Sequence, residues 1–255
     1  MAALSYATLG ASGRPAVLFL HGFMGSSGDW REVLQAIGDE AFAVAVDLPG
    51  HGASLGLPPE VYAFEGAARA VIGVLNELGI DRASLVGYSM GGRLALYLAL
   101  RHPERCSGLF LESASPGLRD AEERASRRAA DEEKARRLES EDFETFLRDW
   151  YRQPLFASLA RDEGLLRRTL EERRRNDPAE LARSLRGMGT GSQPSLWEEL
   201  SGLRVPALAV AGELDEKFVG ISRRMAELGP CIEAATVPGV GHNVRAEARR
   251  RTPVC

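Results

Sequence analysis

Cysteines are scarce in this sequence, and long apolar runs are missing from it. The three cysteines, Cys106, Cys231 and Cys255, form no CxxC pair, and their odd number gives no disulfide framework. No apolar run approaches the roughly 20 residues that a membrane-spanning helix requires. Residues 1–6 carry neither the basic region nor the long apolar region of a secretory signal. We therefore expect a cytoplasmic protein with free thiols and no membrane span.

An excess of positive charge is also lacking. The chain has 32 Lys and Arg against 36 Asp and Glu, which gives a formal net charge of −4 at pH 7. This balance argues against a nucleic-acid partner. The apolar share of 44% and the charged share of 27% are those of a globular protein, and 255 residues suit one α/β domain.

Short apolar runs alternate with segments of helical spacing along most of the chain. Strands are predicted at 16–20, 42–46, 83–86, 107–111, 205–211 and 231–237, and helices at 29–38, 61–78, 90–100 and 216–228. This alternation predicts an α/β fold in which a mostly parallel sheet is covered by helices on both faces.

One long segment interrupts the alternation. Residues 116–200 contain no strand-like run, are rich in charge and have helical spacing. An insertion of this length usually has a function. Because this segment follows the predicted strand at 107–111, we expect it to lie as a helical lid over the C-terminal edge of the sheet. The predicted organisation is a core of residues 1–115 and 201–255 and a lid of residues 116–200.

The segment that suggests chemistry is Gly87-Tyr88-Ser89-Met90-Gly91, which joins an apolar strand to a helix. This is the strand–turn–helix context of a nucleophile elbow. A serine on such a strained turn leaves no room for a Cβ at either flanking glycine. The alternative is an ordinary glycine-rich turn with a surface serine, and the rest of the chain has to decide between the two.

A serine hydroxyl needs a histidine to take its proton and an acid to orient that histidine. The order Ser…Asp…His selects His242, which lies in a glycine-rich loop after the last predicted strand, and Asp215, which follows the preceding strand. Glu112 is the fallback for the acid, and Glu213 is a weaker candidate because it lies closer to its strand. We predict a triad of Ser89, Asp215 and His242.

The same logic predicts the donors of an oxyanion hole. One backbone N–H belongs to Met90, the residue after the nucleophile, and the other to Phe23 in the loop after the first buried strand. Glycines in that loop let the backbone approach a ligand closely.

Arginine far outnumbers lysine in the predicted lid. Between residues 119 and 186 there are 16 Arg and one Lys against 17 Asp and Glu. Most of these charges fit a solvated helix surface with i,i+4 pairs. Arginine is also the side chain that binds carboxylates with two parallel hydrogen bonds, so a few of them are candidates to hold an acidic substrate.

Several motifs resemble the α/β-hydrolase superfamily: the segments 20–30 and 47–52 and the elbow itself. More narrowly, the chain resembles the 2-succinyl-6-hydroxy-2,4-cyclohexadiene-1-carboxylate synthases of menaquinone biosynthesis. The narrower resemblance rests on five segments: 87–93, 115–118, 149–156, 191–197 and 212–218. It covers nearly the whole chain, including the predicted lid.

The resemblance implies a lyase without a metal or other cofactor. In that family a triad-activated serine abstracts a ring proton, the oxyanion hole stabilises the enolate-like charge, and pyruvate leaves a succinyl-enolpyruvyl-hydroxycyclohexene-carboxylate. It also implies a small polycarboxylate as substrate, and we expect a monomer. The positions that match the family's substrate-binding residues are Tyr88, Arg93, Arg127, Trp150, Tyr151 and Arg173. Arg128 and Arg174 could take the places of Arg127 and Arg173.

The chain departs from the family pattern after His242. Family members continue with an amphipathic helix, whereas the 13 residues that follow His242 here include four arginines and hardly an apolar face. Two other functions remain open at this point. A carboxylesterase or C–C bond hydrolase would use Ser89 as an acyl nucleophile without an arginine cluster, and a non-catalytic ligand-binding protein would normally have lost a triad residue.

Overall fold

Seven strands form one sheet in the computed structural model, which describes residues 4–248. The strands are β1 (Tyr6–Leu9), β2 (Ala16–Leu20), β3 (Phe42–Val46), β4 (Ala83–Tyr88), β5 (Cys106–Glu112), β6 (Ala207–Gly212) and β7 (Ile232–Val237). Their order in the sheet is β1-β3-β2-β4-β5-β6-β7. β1 runs antiparallel to β3, and all the other neighbours are parallel. The predicted α/β fold with a mostly parallel sheet is confirmed.

Helices supply the long connections that parallel strands require. They are α1 (Arg31–Ile37), α2 (Phe64–Glu77), α3 (Met90–Arg101), α4 (Ala121–Ser140), α5 (Phe143–Tyr151), α6 (Glu163–Arg173), α7 (Pro178–Met188), α8 (Glu216–Leu228) and α9 (Val244–Ala248). Single 3-10 turns lie at Ser27–Trp30, Gly38–Glu40, Pro59–Tyr62, Pro103–Arg105, Pro154–Phe156, Leu159–Arg161 and Trp197–Gly202. None of the helices within residues 4–248 is long and apolar enough to cross a membrane.

Aspartate caps explain where many of the helices begin. The carboxylates of Asp120, Asp142, Asp162, Asp177 and Asp215 accept backbone N–H groups from the first turns of α4 to α8, respectively. Each cap satisfies donors that have no partner within the helix. The starts of the helices between β5 and β6 are therefore set by the aspartate that precedes each of them.

Two apolar clusters show how the sheet and the insertion are packed. The larger one contains buried residues of one face of the sheet together with residues of α2 and α3, and Leu18, Val44 and Leu94 are fully buried in it. The smaller one joins α4, α5 and α7 and includes Met24, which belongs to the loop after β2. The insertion therefore packs directly against the loop that follows the first buried strand.

Some element boundaries differ from those predicted. The helix predicted at 61–78 begins at Phe64, because Ala63 is extended (φ −80°, ψ 157°) and separates α2 from a 3-10 turn. The helix predicted at 29–38 is likewise a 3-10 turn followed by α1. The strand predicted at 205–211 begins at Ala207, after Pro206, which has no N–H to donate. β1 was not predicted at all.

The chain after His242 is partly described. One residue after His242, the short helix α9 occupies residues 244–248. Cys106 and Cys231 are free thiols. Cys255 and the arginines from residue 249 onward lie outside the described residues.

Candidate active site

Ser89 lies on a strained turn between β4 and α3. Its φ is +49°, a left-handed conformation that a residue with a side chain rarely adopts. A Cβ on Gly87 would lie 2.5 Å from the Cα of Gly92, and one on Gly91 would lie 2.2 Å from the carbonyl oxygen of Leu20. The two flanking glycines are therefore required by the close approach of strand and helix, as the sequence suggested. The Ser89 N–H donates to the carbonyl of Glu112 on β5 at 2.8 Å, which fixes the turn at the C-terminal edge of the sheet.

The structure brings Ser89, His242 and Asp215 together. The Oγ atom of Ser89 is 3.1 Å from His242 Nε2, and His242 Nδ1 is 2.7 Å from Asp215 Oδ2. Asp215 also caps α8, which holds its carboxylate in place through the Phe218 N–H. His242 and Asp215 are both buried. This arrangement lets the imidazole accept a proton from the serine while the carboxylate orients the ring.

The other two acids that the sequence suggested have different partners. Glu112 binds Arg245 through both its carboxylate oxygens. Glu213 is exposed and accepts the N–H of Gly239 at 2.7 Å. Of the three candidates, Asp215 is the one that is hydrogen-bonded to His242.

Two buried histidines shape the loop that carries Phe23. The Nε2 atom of His51 accepts the Met24 N–H at 3.1 Å, and the Nε2 atom of His21 accepts the Leu48 N–H at 3.0 Å. Burial lowers the pKa of both rings, so both are neutral and can accept. Within residues 4–248 the Phe23 N–H has no hydrogen-bond acceptor. No role was predicted for His21 and His51 from the sequence, although both lie in glycine-rich loops.

One cavity of about 210 Å³ gathers the predicted residues. Apart from Asp215, which lies behind His242, all of them line it: Phe23, Tyr88, Ser89, Met90, Arg93, Arg127, Trp150, Tyr151, Arg173 and His242. The alternatives Arg128 and Arg174 do not. Arg128 donates to the carbonyl of Gly191, and Arg174 binds Glu144 at the surface.

The three predicted arginines differ in how their charge is balanced. Arg127 donates to Asp131 at 2.8 Å, and Arg173 binds Asp29 through two hydrogen bonds of 2.8 Å. Although burial opposes its charge, Asp29 raises the pKa of Arg173. Neither carboxylate was predicted from sequence as a partner. Asp131 is only four residues from Arg127, whereas Asp29 is 144 residues away from Arg173 in the chain.

Arg93 is the arginine whose charge is not balanced. It donates to Gln193 Oε1 at 3.2 Å and lies over the Phe64 ring, and no carboxylate of the described chain is within 4.0 Å of it. Burial, with the nearby Arg127, lowers the pKa of Arg93 to about 9. A buried cation without an anionic partner is destabilised. An anion that enters the cavity would supply that partner.

Aromatic rings enclose the histidine. Phe218, Tyr88 and Phe156 have ring centroids 4.7, 5.6 and 6.1 Å from that of His242. Trp150 on α5 contacts Phe23 at 5.2 Å and so links the insertion to the loop after β2. Within residues 4–248, no group of His, Cys, Asp and Glu side chains is arranged to hold a metal ion.

A family model and two named relatives place the chain in the same family. The alpha/beta hydrolase fold family matches residues 15–245. A Bacillus subtilis protein, named provisionally as a 2-succinyl-6-hydroxy-2,4-cyclohexadiene-1-carboxylate synthase, is 37% identical over 94% of this chain and 88% of its own length. The protein of that name from Escherichia coli O1:K1 is 35% identical over 93% of this chain and 90% of its own length.

Solved structures agree with the sequence comparison. MenH from S. aureus superposes with a TM-score of 0.91 at 32% identity, over 98% of this chain and 94% of that one. A thermophilic esterase from Thermogutta terrifontis, solved with malate bound, has a TM-score of 0.82 at 25% identity, over 97% and 89%. The chain therefore belongs to the α/β-hydrolase family of enzymes and, within it, is related to the 2-succinyl-6-hydroxy-2,4-cyclohexadiene-1-carboxylate synthases.

Proposed function

We propose that this enzyme acts in menaquinone biosynthesis as a lyase. It would eliminate pyruvate from a succinyl-enolpyruvyl-hydroxycyclohexene-carboxylate to give 2-succinyl-6-hydroxy-2,4-cyclohexadiene-1-carboxylate. The observation that carries the proposal is Arg93, a partly buried cation without a carboxylate partner that lines the same cavity as Ser89 and His242. The names of the relatives supply the substrate class.

The charge of the cavity wall supports a substrate with several carboxylates. Four cationic side chains line it: Arg93, Arg127, Arg173 and Lys217. No Asp or Glu does so among the described residues, because Asp131 and Asp29 contact Arg127 and Arg173 from behind. A neutral ester would leave Arg93, which has no carboxylate partner of its own, without an anion.

The proposed chemistry begins with proton transfer. His242 Nε2 takes the proton of Ser89, while Asp215 stabilises the imidazolium that forms. Ser89 then removes a proton from the substrate ring, and the N–H groups of Phe23 and Met90 stabilise the enolate-like charge. The Met90 N–H is available because it belongs to the first turn of α3. The electron pair left on the ring then expels the enolpyruvyl group by breaking its C–O bond. The released pyruvate enolate takes up one proton and becomes pyruvate, and the His242 imidazolium gives up one proton, which returns the triad to its starting state.

The remaining predicted residues hold the substrate in this scheme. Arg93, Arg127 and Arg173 bind its carboxylates, and Tyr88, Trp150 and Tyr151 pack against its apolar parts. The aromatic rings around His242 exclude water, which strengthens each charged contact.

The direct test is incubation of the purified enzyme with the succinyl-enolpyruvyl substrate. We expect the substrate absorbance to fall in step with the release of pyruvate, measured in a coupled assay. Ser89→Ala, His242→Ala and Asp215→Asn should each lower the rate by orders of magnitude, and the losses should not add, because the three residues act as a unit. Pyruvate release unchanged in Ser89→Ala would refute the proposed role of the triad.

An esterase or C–C bond hydrolase is the second candidate, favoured by the likeness to the Thermogutta terrifontis esterase. Arg93→Met separates the two functions. For the lyase, we expect pyruvate release to fall about tenfold or more, since a charge-assisted contact is lost, and hydrolysis of a neutral p-nitrophenyl ester to change little.

The matched control is Arg69→Met on the exposed face of α2, where Arg69 pairs with Glu65 and lies outside the cavity. It should leave both reactions unchanged. A fast ester reaction with an acyl-enzyme burst that does not depend on Arg93 would favour the esterase. Equal losses on both substrates would show that Arg93 is structural.

A further inference from the structure

Arg245 is a largely buried arginine that the proposed reaction does not use. It lies on α9, three residues after His242, and only 10% of its side chain is exposed. The guanidinium carbon is 4.3 Å from the ring centroids of both Trp30 and Tyr88. Arg245 does not line the cavity that contains Ser89. The guanidinium group is therefore held against the rings of Trp30 and Tyr88, outside the cavity that contains Ser89.

Two buried carboxylates share the charge of Arg245. Its guanidinium nitrogens lie 3.4 Å from Asp29 and 3.4 Å from Glu112, and its backbone N–H donates to Glu112 at 3.1 Å. Asp29 already has two short hydrogen bonds to Arg173. Within the described chain, Arg245 is the cation that lies within 4.0 Å of Glu112. The loss of the Arg245 side chain would therefore leave the Glu112 carboxylate with the backbone N–H of residue 245 but without a cation.

Glu112 connects the turn that carries Ser89 to the segment that follows His242. Its carbonyl accepts the Ser89 N–H at 2.8 Å, and its carboxylate holds the backbone and side chain of Arg245. Tyr88 makes a parallel connection, because its ring contacts Arg245 on one side and His242 at 5.6 Å on another. The turn that carries Ser89 and the segment that carries His242 are thus joined through the same arginine.

We propose that Arg245 is a positioning residue for the Ser89–His242 pair. It neutralises the buried Glu112 and, through Glu112 and Tyr88, keeps the serine and the imidazole at hydrogen-bonding distance. A buried carboxylate that loses its cation either takes up a proton or moves toward water. Either change would disturb the anchor of Ser89. The inference rests on the roles proposed above for Ser89 and His242.

The test compares Arg245→Met, Arg245→Lys, Glu112→Gln and the double variant Arg245→Met/Glu112→Gln. We expect Arg245→Met to lower kcat for pyruvate release about tenfold or more and to change KM less than about threefold, since Arg245 does not line the cavity. Arg245→Lys should recover most of the rate. The double variant should match Glu112→Gln alone, because a neutral amide needs no cation.

A second measurement does not depend on the proposed substrate. A fluorophosphonate probe reacts with an activated serine, and mass spectrometry follows its rate of attachment to Ser89. This rate should fall in Arg245→Met and recover in Arg245→Lys. If the enzyme released no pyruvate but labelling still followed this pattern, the lyase proposal would fail and the positioning role would stand. Arg223→Met, at an exposed position on α8, is the control that should leave labelling unchanged.

Three outcomes would overturn the inference. In the first, the labelling rate and kcat of Arg245→Met stay within twofold of the wild type. In the second, Arg245→Met and Arg245→Lys are equally impaired and KM is raised. In the third, the effects of the two substitutions in the double variant are strictly additive. If Arg245→Met does not fold, Arg245→Lys and the comparison of the double variant with Glu112→Gln still test whether Arg245 positions Ser89 and His242.

Discussion

His21 and His51 serve this enzyme through their hydrogen bonds rather than as proton carriers. Each ring accepts a backbone N–H through Nε2, and each Nδ1 faces a carbonyl oxygen, that of Gly22 for His21 and that of Pro49 for His51. That pattern requires the neutral tautomer with the proton on Nδ1. The two rings lie 5.0 Å apart, so protonation of either would place a charge beside the other in a buried region. The shape of the loop that carries Phe23 therefore depends on both remaining neutral.

This requirement predicts how stability depends on pH. Burial lowers the pKa of His21 and His51 in the folded state, whereas the unfolded chain binds these protons near the ordinary value of about 6.5. Their contribution is complete above that pH and is lost as the pH falls below it, by up to about 1.4 kcal/mol per pH unit for each ring. Urea unfolding between pH 8 and pH 5.5 measures this slope.

The variant His51→Gln isolates one ring. A glutamine oxygen can still accept the Met24 N–H, but it takes up no proton, so the slope below pH 6.5 should fall by about half. His102→Gln is the matched control, since His102 is partly exposed, and it should keep the wild-type slope. Identical slopes for His51→Gln and the wild type would rule out this account.

The predicted triad, whose three members are hydrogen-bonded in the structure, could be selected from sequence because the prediction depends on their order along the chain. A glycine-flanked serine, an aspartate after the next-to-last strand and a histidine after the last strand keep their order in the chain. The counter-ions could not be found in this way. Asp29 and Arg173 meet because the insertion packs against the loop after β2, and Glu112 and Arg245 meet because the end of β5 and the segment after β7 are neighbours in the fold. No local pattern records such pairs.

At the scale of elements, burial decides which strands the sequence could predict. β3 is buried along its whole length, and its predicted bounds match those of the structure. β1 is short and mostly exposed at an antiparallel edge, so it has no continuous apolar run. Helix starts were misplaced where a 3-10 turn precedes the helix, because both conformations share similar apolar spacing.

The insertion is tied to the loop that carries Phe23. Asn176, between α6 and α7, donates from Nδ2 to the carbonyl of Met24 at 2.9 Å. The neighbouring Arg173 binds Asp29, which lies in the 3-10 turn after the same loop. The insertion therefore contacts the loop that carries the Phe23 N–H as well as contributing side chains to the cavity wall.

Asn176→Ala tests this connection. We expect kcat for pyruvate release to fall about three- to tenfold, because one hydrogen bond that orients the loop is lost. The free energy of unfolding should change by about 1 kcal/mol or less, as measured by urea titration. Asn76→Ala on the exposed face of α2 is the control and should alter neither quantity. A normal kcat in Asn176→Ala would mean that the sheet alone positions the Phe23 N–H.

At the scale of the whole molecule, the side chains that line the cavity are cationic, whereas the chain as a whole carries a net negative charge. The net charge is −4, yet four cationic side chains and no described carboxylate line the cavity. A cavity with walls of low dielectric concentrates the field of such a group of charges. Lys217 contributes to this field from the exposed N-terminal turn of α8, although the sequence analysis did not single it out.

This field should make the reaction sensitive to salt. We expect kcat/KM for the proposed polycarboxylate substrate to fall on the order of tenfold between low ionic strength and about 0.5 M salt, since screening shortens the reach of the charges. The rate with a neutral p-nitrophenyl ester should stay nearly constant over the same range. Lys217→Met should flatten the salt dependence for the polycarboxylate without abolishing turnover, because its ammonium group is exposed and the arginines remain. If the polycarboxylate and the ester responded equally to salt, the positive wall would have no part in drawing substrate to Ser89.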